Sequence, residues 1–216
     1  MKGLGTEVAK NLVLAGINSM TILDHEPLTK EDSVSCFLAP TTEVGKNRAQ
    51  ASLERLKQRN PMVEMAADEE NLEAKEKKFF ENFDVVIVTN YPKDVILKVN
   101  NFCRELNIKF FAGDIFGFFG YSFMDLVKHD YVEEEVKAVD GDAKKESAAS
   151  GDNDDGPSSA KKAKVEEEET KMVKKSMDFV PLEAALNADW TAESYAKRIK
   201  RMDPAYFILQ VRHCMI

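Results

Sequence analysis

The chain has 216 residues, of which 44% are hydrophobic, enough for one sizeable core or two small ones. Its formal net charge of −8 speaks against nucleic acid as the main ligand, because phosphate binding draws on a clustered surplus of Lys and Arg. Cys36, Cys103 and Cys214 are scattered and never form a CxxC pair, so neither a disulfide framework nor a zinc site is expected.

The chain opens on Lys2-Gly3-Leu4-Gly5-Thr6-Glu7, a glycine loop leading into an amphipathic helix, as at the phosphate-binding end of a Rossmann-type unit. Apolar residues at Leu4, Val8, Leu12 and Ala15 mark one helical face, and Gly16 is placed to end it. Glu7 and Lys10 interrupt any signal-peptide core, and no apolar window is long enough to span a membrane. A soluble, intracellular protein is expected. Met20 to Asp24 reads as a buried strand, Lys46 to Asn60 as a helix with Ala49, Leu53 and Leu56 inward, and Val63 to Ala67 as a weaker strand.

Asp84 to Thr89 is a continuous β-branched run of the kind found in parallel sheets covered on both faces. Lys93 to Leu106 reads as a helix and Lys109 to Asp114 as the next strand. Alternation of this kind predicts an α/β fold with a Rossmann-like, doubly wound, mostly parallel sheet. Tyr121 to Leu126 suggests an antiparallel excursion. Three parts are expected: residues 1–135 as the Rossmann-like domain, 136–176 as a disordered charged insertion without aromatic residues, and 177–216 as a helical continuation with helices around Leu182 to Leu186, Ala192 to Arg201 and Pro204 to Val211.

Gly3, Gly5 and Asp24 are the candidate nucleotide-binding set. Gly5 permits close approach to a phosphate, and Asp24, about twenty residues on, can accept a ribose hydroxyl. The competing reading is that the glycines only allow tight packing and Asp24 caps a loop. Arg48 can reach a phosphate, whereas Lys46 is read as solvated. No cysteine lies beside a histidine or on the glycine loop, so none is assigned as a nucleophile, and His25, His129 and His213 lie too far apart to suggest a metal site. Lys161, Lys162 and Lys164 form a short basic cluster that suits a nuclear-import receptor, and a nuclear location with some cytoplasmic population is expected.

Taken together, Lys2 to Leu12, the Leu23-Asp24-His25-Glu26 strand end, Val44 to Ala49, Asn60-Pro61-Met62-Val63 and Ile108 to Gly117 resemble the adenylation fold of ubiquitin-like-protein activating enzymes. The likeness is greatest to the small subunits of heterodimeric SUMO-activating enzymes and runs to about Val211. It implies ATP-dependent activation: the modifier's C-terminal carboxylate attacks the α-phosphate, and a cysteine thiolate then takes the acyl group as a thioester. In that family ATP, magnesium and the cysteine belong to the large catalytic subunit, the implied partner, and SUMO is engaged through the complex.

Three departures imply a non-catalytic half. Asp32 and Ser35 stand where an active half carries Asn and Arg, Tyr91 replaces an acid, and Arg48 aligns with a phosphate-contacting Lys. The family's leading arginine-bearing helix and first strand have no counterpart here, nor does its C-terminal part, so a truncated chain, inactive alone, is expected. The glycines and Asp24 alone equally permit an NAD-binding Rossmann oxidoreductase, and a third reading is a non-enzymatic product that binds the large subunit as a competitor.

Overall fold

The computed structural model describes residues 1–136, 170–189, 192 and 201–208. Helix α1 (Gly3–Ala15) ends at Gly16, which adopts φ +78° and returns its N–H to the Val13 carbonyl, a conformation that costs glycine little. The face it buries differs from the expected one. Thr6, Ala9 and Val13 are buried, whereas Leu4, Val8 and Leu12 are half-buried and Ala15 is exposed. Both sets keep helical spacing, and the smaller side chains take the closest contact while the leucines line its shoulder.

Strand β1 (Ser19–Leu23) leads through the short helix α2 (Lys30–Ser35) to α3 (Arg48–Arg59) and β2 (Glu64–Asp68). β1 and β2 pair in parallel from Ser19 opposite Glu64 to Leu23 opposite Asp68. α3 buries Ala49, Leu53 and Leu56 as its pattern predicts, and these join Ala9, Val13, Ile22, Leu28 and Cys36 in one core.

The second core lies around Phe80, Val88, Ile96, Val99, Cys103 and Phe110. After the one-turn helix α4 (Lys77–Phe80), strand β3 (Val85–Thr89), helix α5 (Lys93–Glu105) and strand β4 (Lys109–Phe116) form a β-α-β unit whose strands pair in parallel. β5 (Phe119–Asp125) then folds back antiparallel on β4, the excursion the sequence predicts. The run Val85 to Thr89 is not covered on both faces, because Val85 and Ile87 are 46% and 37% exposed while Val88 is buried. β1 pairs with β2, and β3 with β4; among the described residues no ladder joins β1 to β3, so the expected sheet stands as separate sheets of two and three strands.

Residues Met1–Val127 and those from Asp178 onward form one compact unit, and Lys128–Met177 a second. In the second unit, strand β6 (Lys128–Val136) pairs with β7 (Thr170–Asp178). Order therefore enters the span 136–176 from both sides, at Val136 and from Thr170 to Ser176. A strand satisfies its backbone on a neighbour whatever its side chains, so low apolar content did not prevent pairing. Lys175 Nζ lies 2.7 Å from Glu133 Oε2, and the His129 and Tyr131 rings stack with centroids 6.1 Å apart. Residues 137–169 lie outside the described residues. Helix α6 (Leu182–Leu186) and a helical turn over residues 204–208 match expectation, and most of the stretch predicted as a helix from Ala192 to Arg201 lies outside the described residues. Among the described residues, no helix is long and apolar enough to cross a membrane.

Candidate functional site

The residues singled out by the sequence gather at the carboxyl end of β1, the end at which open α/β sheets place their ligands. The Asp24 N–H donates to the Asp68 carbonyl at 3.1 Å, extending the β1–β2 ladder by one step, and its own carbonyl accepts from Asn47 Nδ2 at 2.6 Å. Asn47 also caps α3, its Oδ1 accepting from the N–H groups of Ala49 at 2.8 Å and Gln50 at 3.1 Å. Arg48 is thereby fixed in the first turn of α3, with its N–H on the Glu26 carbonyl at 3.0 Å.

Arg48 and Asp24 are buried and paired through two nitrogens. Arg48 Nε donates to Asp24 Oδ2 at 3.0 Å and Nη2 to Oδ1 at 3.1 Å, while Nη1 reaches Asp32 Oδ2 at 3.3 Å. Asp24 Oδ1 also accepts the Glu26 N–H at 3.0 Å, and Oδ2 meets the amino group of Met1. Burial works to raise the Asp24 carboxyl pKa, but the Met1 ammonium, the Glu26 N–H and Arg48 outweigh it and hold the group below the usual carboxylate range. At Asp32 burial also opposes ionisation, and Thr29 with Arg48 again wins, lowering the value. Arg48 is pushed further up by its two carboxylates despite its burial.

Asp32 is held independently of Arg48. Thr29 and Asp32 form a reciprocal capping box at the start of α2, with the Asp32 N–H on Thr29 Oγ1 at 3.1 Å and the Thr29 N–H on Asp32 Oδ2 at 3.1 Å. Ser35 is exposed, and its hydroxyl turns back to the Asp32 carbonyl at 3.2 Å.

Gly3 and Gly5 stand within α1, in its first turn, rather than in a loop ahead of it. A Cβ at Gly5 would lie 3.1 Å from Thr89 Oγ1, so this glycine lets α1 cross the end of β3 closely. Lys2, the N-cap residue, offers no side-chain hydrogen bond to the helix start. Tyr91 stands just beyond β3 with its hydroxyl 3.5 Å from His25 Nδ1. Burial raises the Tyr91 phenol pKa, the Asp24 and Glu73 charges add to that, and the Leu72 backbone bond and Arg48 oppose it.

The structure thus brings Asp24, Arg48, Asp32, His25 and Tyr91 into one neighbourhood. The His25–Tyr91 contact, between residues 66 apart in sequence, left no signal that sequence reasoning could find. Lys161, Lys162 and Lys164 lie outside the described residues.

Chemically, the centre of this site is closed on itself. Asp24 Oδ1 already accepts the Glu26 N–H and Arg48 Nη2, and Oδ2 accepts Arg48 Nε, so a ribose hydroxyl competes with these donors for the carboxylate. Arg48 commits three nitrogens to two carboxylates and has little left for a phosphate. As arranged, the guanidinium and the two carboxylates are engaged with one another. Among the described residues the thiols offer no exposed nucleophile: Cys36 and Cys103 are both buried, and burial together with the Asp125 charge pushes Cys103 up to about 12.

The ThiF family matches residues 1–153 of the chain. The chain is 46% identical over 211 residues to SUMO-activating enzyme subunit 1 of Xenopus tropicalis, covering 98% of this chain and 59% of that protein. It is 47% identical over 211 residues to SUMO-activating enzyme subunit 1 of Mus musculus and 46% identical over 212 residues to that of Danio rerio, in each case covering 98% of this chain and 58% of the relative. The chain therefore spans somewhat under three fifths of the length of the curated relatives it matches.

Proposed function

The chain belongs to the ThiF family, and from that premise we propose that it acts as the small, non-catalytic subunit of a heterodimeric SUMO-activating enzyme. The observation that carries this reading is its identity of 46–47%, over 98% of its length, to proteins named SUMO-activating enzyme subunit 1. In this reading the large subunit holds ATP and magnesium, adenylates the SUMO carboxylate and transfers the acyl group to its own cysteine. This chain supports that subunit and does no chemistry itself.

The closed site supports the division of labour. Nucleotidyl transfer runs on charges aimed at the developing phosphoryl charge, and here the nearest guanidinium is neutralised by Asp24 and Asp32. Thioester formation needs a thiolate, and Cys103 is held as a neutral thiol. The cluster Lys161, Lys162 and Lys164 supports a nuclear location.

Co-expression with the large subunit, affinity recovery of the pair and SUMO-dependent ATP–pyrophosphate exchange test the proposal. The expected result is a stable pair in which mutation of this chain's Arg48 leaves nucleotide affinity unchanged. Failure to associate, or nucleotide binding by this chain alone that Arg48→Gln abolishes, defeats it.

A further inference from the structure

The chain leaves the first unit at Val127 and returns at Asp178. At that crossing Val127 has φ +61°, a left-handed conformation that a β-branched residue adopts only when its surroundings impose it. The imposing groups can be named. The Val127 N–H donates to Asp125 Oδ1 at 3.0 Å, its carbonyl accepts the Phe179 N–H at 2.8 Å, and the intervening Leu126 carbonyl accepts Lys109 Nζ at 2.7 Å.

Two residues one turn apart on α5 tie the outgoing chain to the returning one. Asn100, fully buried, donates from Nδ2 to Asp125 Oδ2 at 2.9 Å and accepts the Leu182 N–H on Oδ1 at 3.0 Å. Arg104 Nη1 lies 2.8 Å from each oxygen of the fully buried Asp125 and 3.0 Å from the Phe179 carbonyl. Each therefore touches both arms of the crossing. A buried carboxylate costs heavily unless it is paired, and Asp125 is paired by Asn100 and Arg104 of α5, the same two side chains that hold the Phe179 carbonyl and the Leu182 N–H.

We infer that Asn100, Arg104 and Asp125 form a clamp that closes the neck of Lys128–Met177. That stretch is thereby an insert which the Met1–Val127 fold does not need and which can be removed without loosening it. The clamp is built wholly from residues of the first unit, so its hydrogen bonds survive removal of the insert. The same closure holds Leu182 in the second core, where it packs with Ile96 and Val99.

The test joins Val127 to Asp178 through an Asn-Gly turn and compares thermal unfolding of the shortened and intact chains, each with and without Arg104→Gln. The shortened chain is expected to melt within about 2 °C of the intact one, and Arg104→Gln to lower both by the same roughly 6 °C or more. A second readout uses the intact chain alone: by hydrogen exchange, the Val127, Phe179 and Leu182 amides are expected to be protected like those of α5. Loss of cooperative unfolding on excision, an Arg104→Gln effect seen only when the insert is present, or exchange of those three amides as fast as β6 and β7 overturns the inference.

Discussion

Arg48 grips Asp24 through two nitrogens, at 3.0 and 3.1 Å, with the two residues only 7% and 5% exposed. Removing one partner strands the other charge out of water, a change that costs about 3–5 kcal/mol. Arg48→Gln and Asp24→Asn are therefore each expected to lower unfolding free energy by roughly that amount. The double variant should lose less than the sum, because the second change relieves the charge that the first left unpaired. Denaturant midpoints at constant slope measure all three. A loss under about 1 kcal/mol for either single variant, the level of an exposed pair, would show that the site is open to solvent and free for a ligand.

Much of this arrangement was legible in the sequence. The alternation of elements, the Gly16 terminus, the buried side of α3 and the Asp24 strand end followed from spacing and turn chemistry, which act between near neighbours. What the sequence hid depends on tertiary contact. Arg48 was read as facing a phosphate, and only the fold shows it turned on Asp24 and Asp32, 24 and 16 residues away. α1 offers two faces of similar spacing, and the choice of Thr6, Ala9 and Val13 was made by tertiary packing, chiefly on α3. β7 was missed because its Lys-rich sequence carries little apolar signal, while its backbone pairing with β6 is indifferent to that composition.

Acid should weaken the same site. Asp24 and Asp32 both titrate below their ordinary carboxylate values in the folded chain. For a depressed carboxyl, the stabilisation is fully present above the unfolded pKa, near ~4, and is lost as pH falls through the lower folded value. Stability is thus expected to hold from neutrality to about pH 5 and then fall steeply below about pH 4. In Arg48→Gln the fall should be shallower, because part of what protonation removes is already gone. Urea midpoints between pH 3 and 7 give both curves, and parallel acid limbs would detach the effect from Arg48.

The alkaline limb carries the opposite sign. Cys103 is fully buried, and burial with the Asp125 charge raises its thiol to about 12, whereas an exposed thiol ionises near ~8.5. Between those values the unfolded chain releases a proton that the folded chain keeps, so stability falls as pH rises. Cys103→Ala is expected to start slightly less stable at pH 7 and to lose less between pH 8 and 10.5 than the parent does. Maleimide labelling read by mass spectrometry should leave Cys103 and Cys36 unmodified until the denaturation midpoint. Labelling of Cys103 in the native chain at pH 7.5 would mean that the α5 core opens more readily than its packing implies.

Gly113 marks a close approach of β4 to its neighbours, and its replacement reports on that packing directly. It pairs with Thr89 on one side and Ser122 on the other. A Cβ there would stand 3.0 Å from the Tyr121 carbonyl oxygen and 3.6 Å from Leu4 Cδ2 of α1. The first contact is with backbone inside an antiparallel ladder, which cannot swing aside as a side chain can. Gly113→Ala is therefore expected to destabilise by about 1–3 kcal/mol, the range for overpacking a filled interior, despite the gain that alanine brings by restricting the unfolded chain. The tight contact of Gly5→Ala is with the Thr89 hydroxyl, at 3.1 Å, and pairing it with Thr89→Ala should restore its stability, whereas no single truncation rescues Gly113→Ala. Unfolding midpoints of the three variants separate the cases. A Gly113→Ala chain as stable as the parent would show that β4 and β5 can part at Tyr121 without cost.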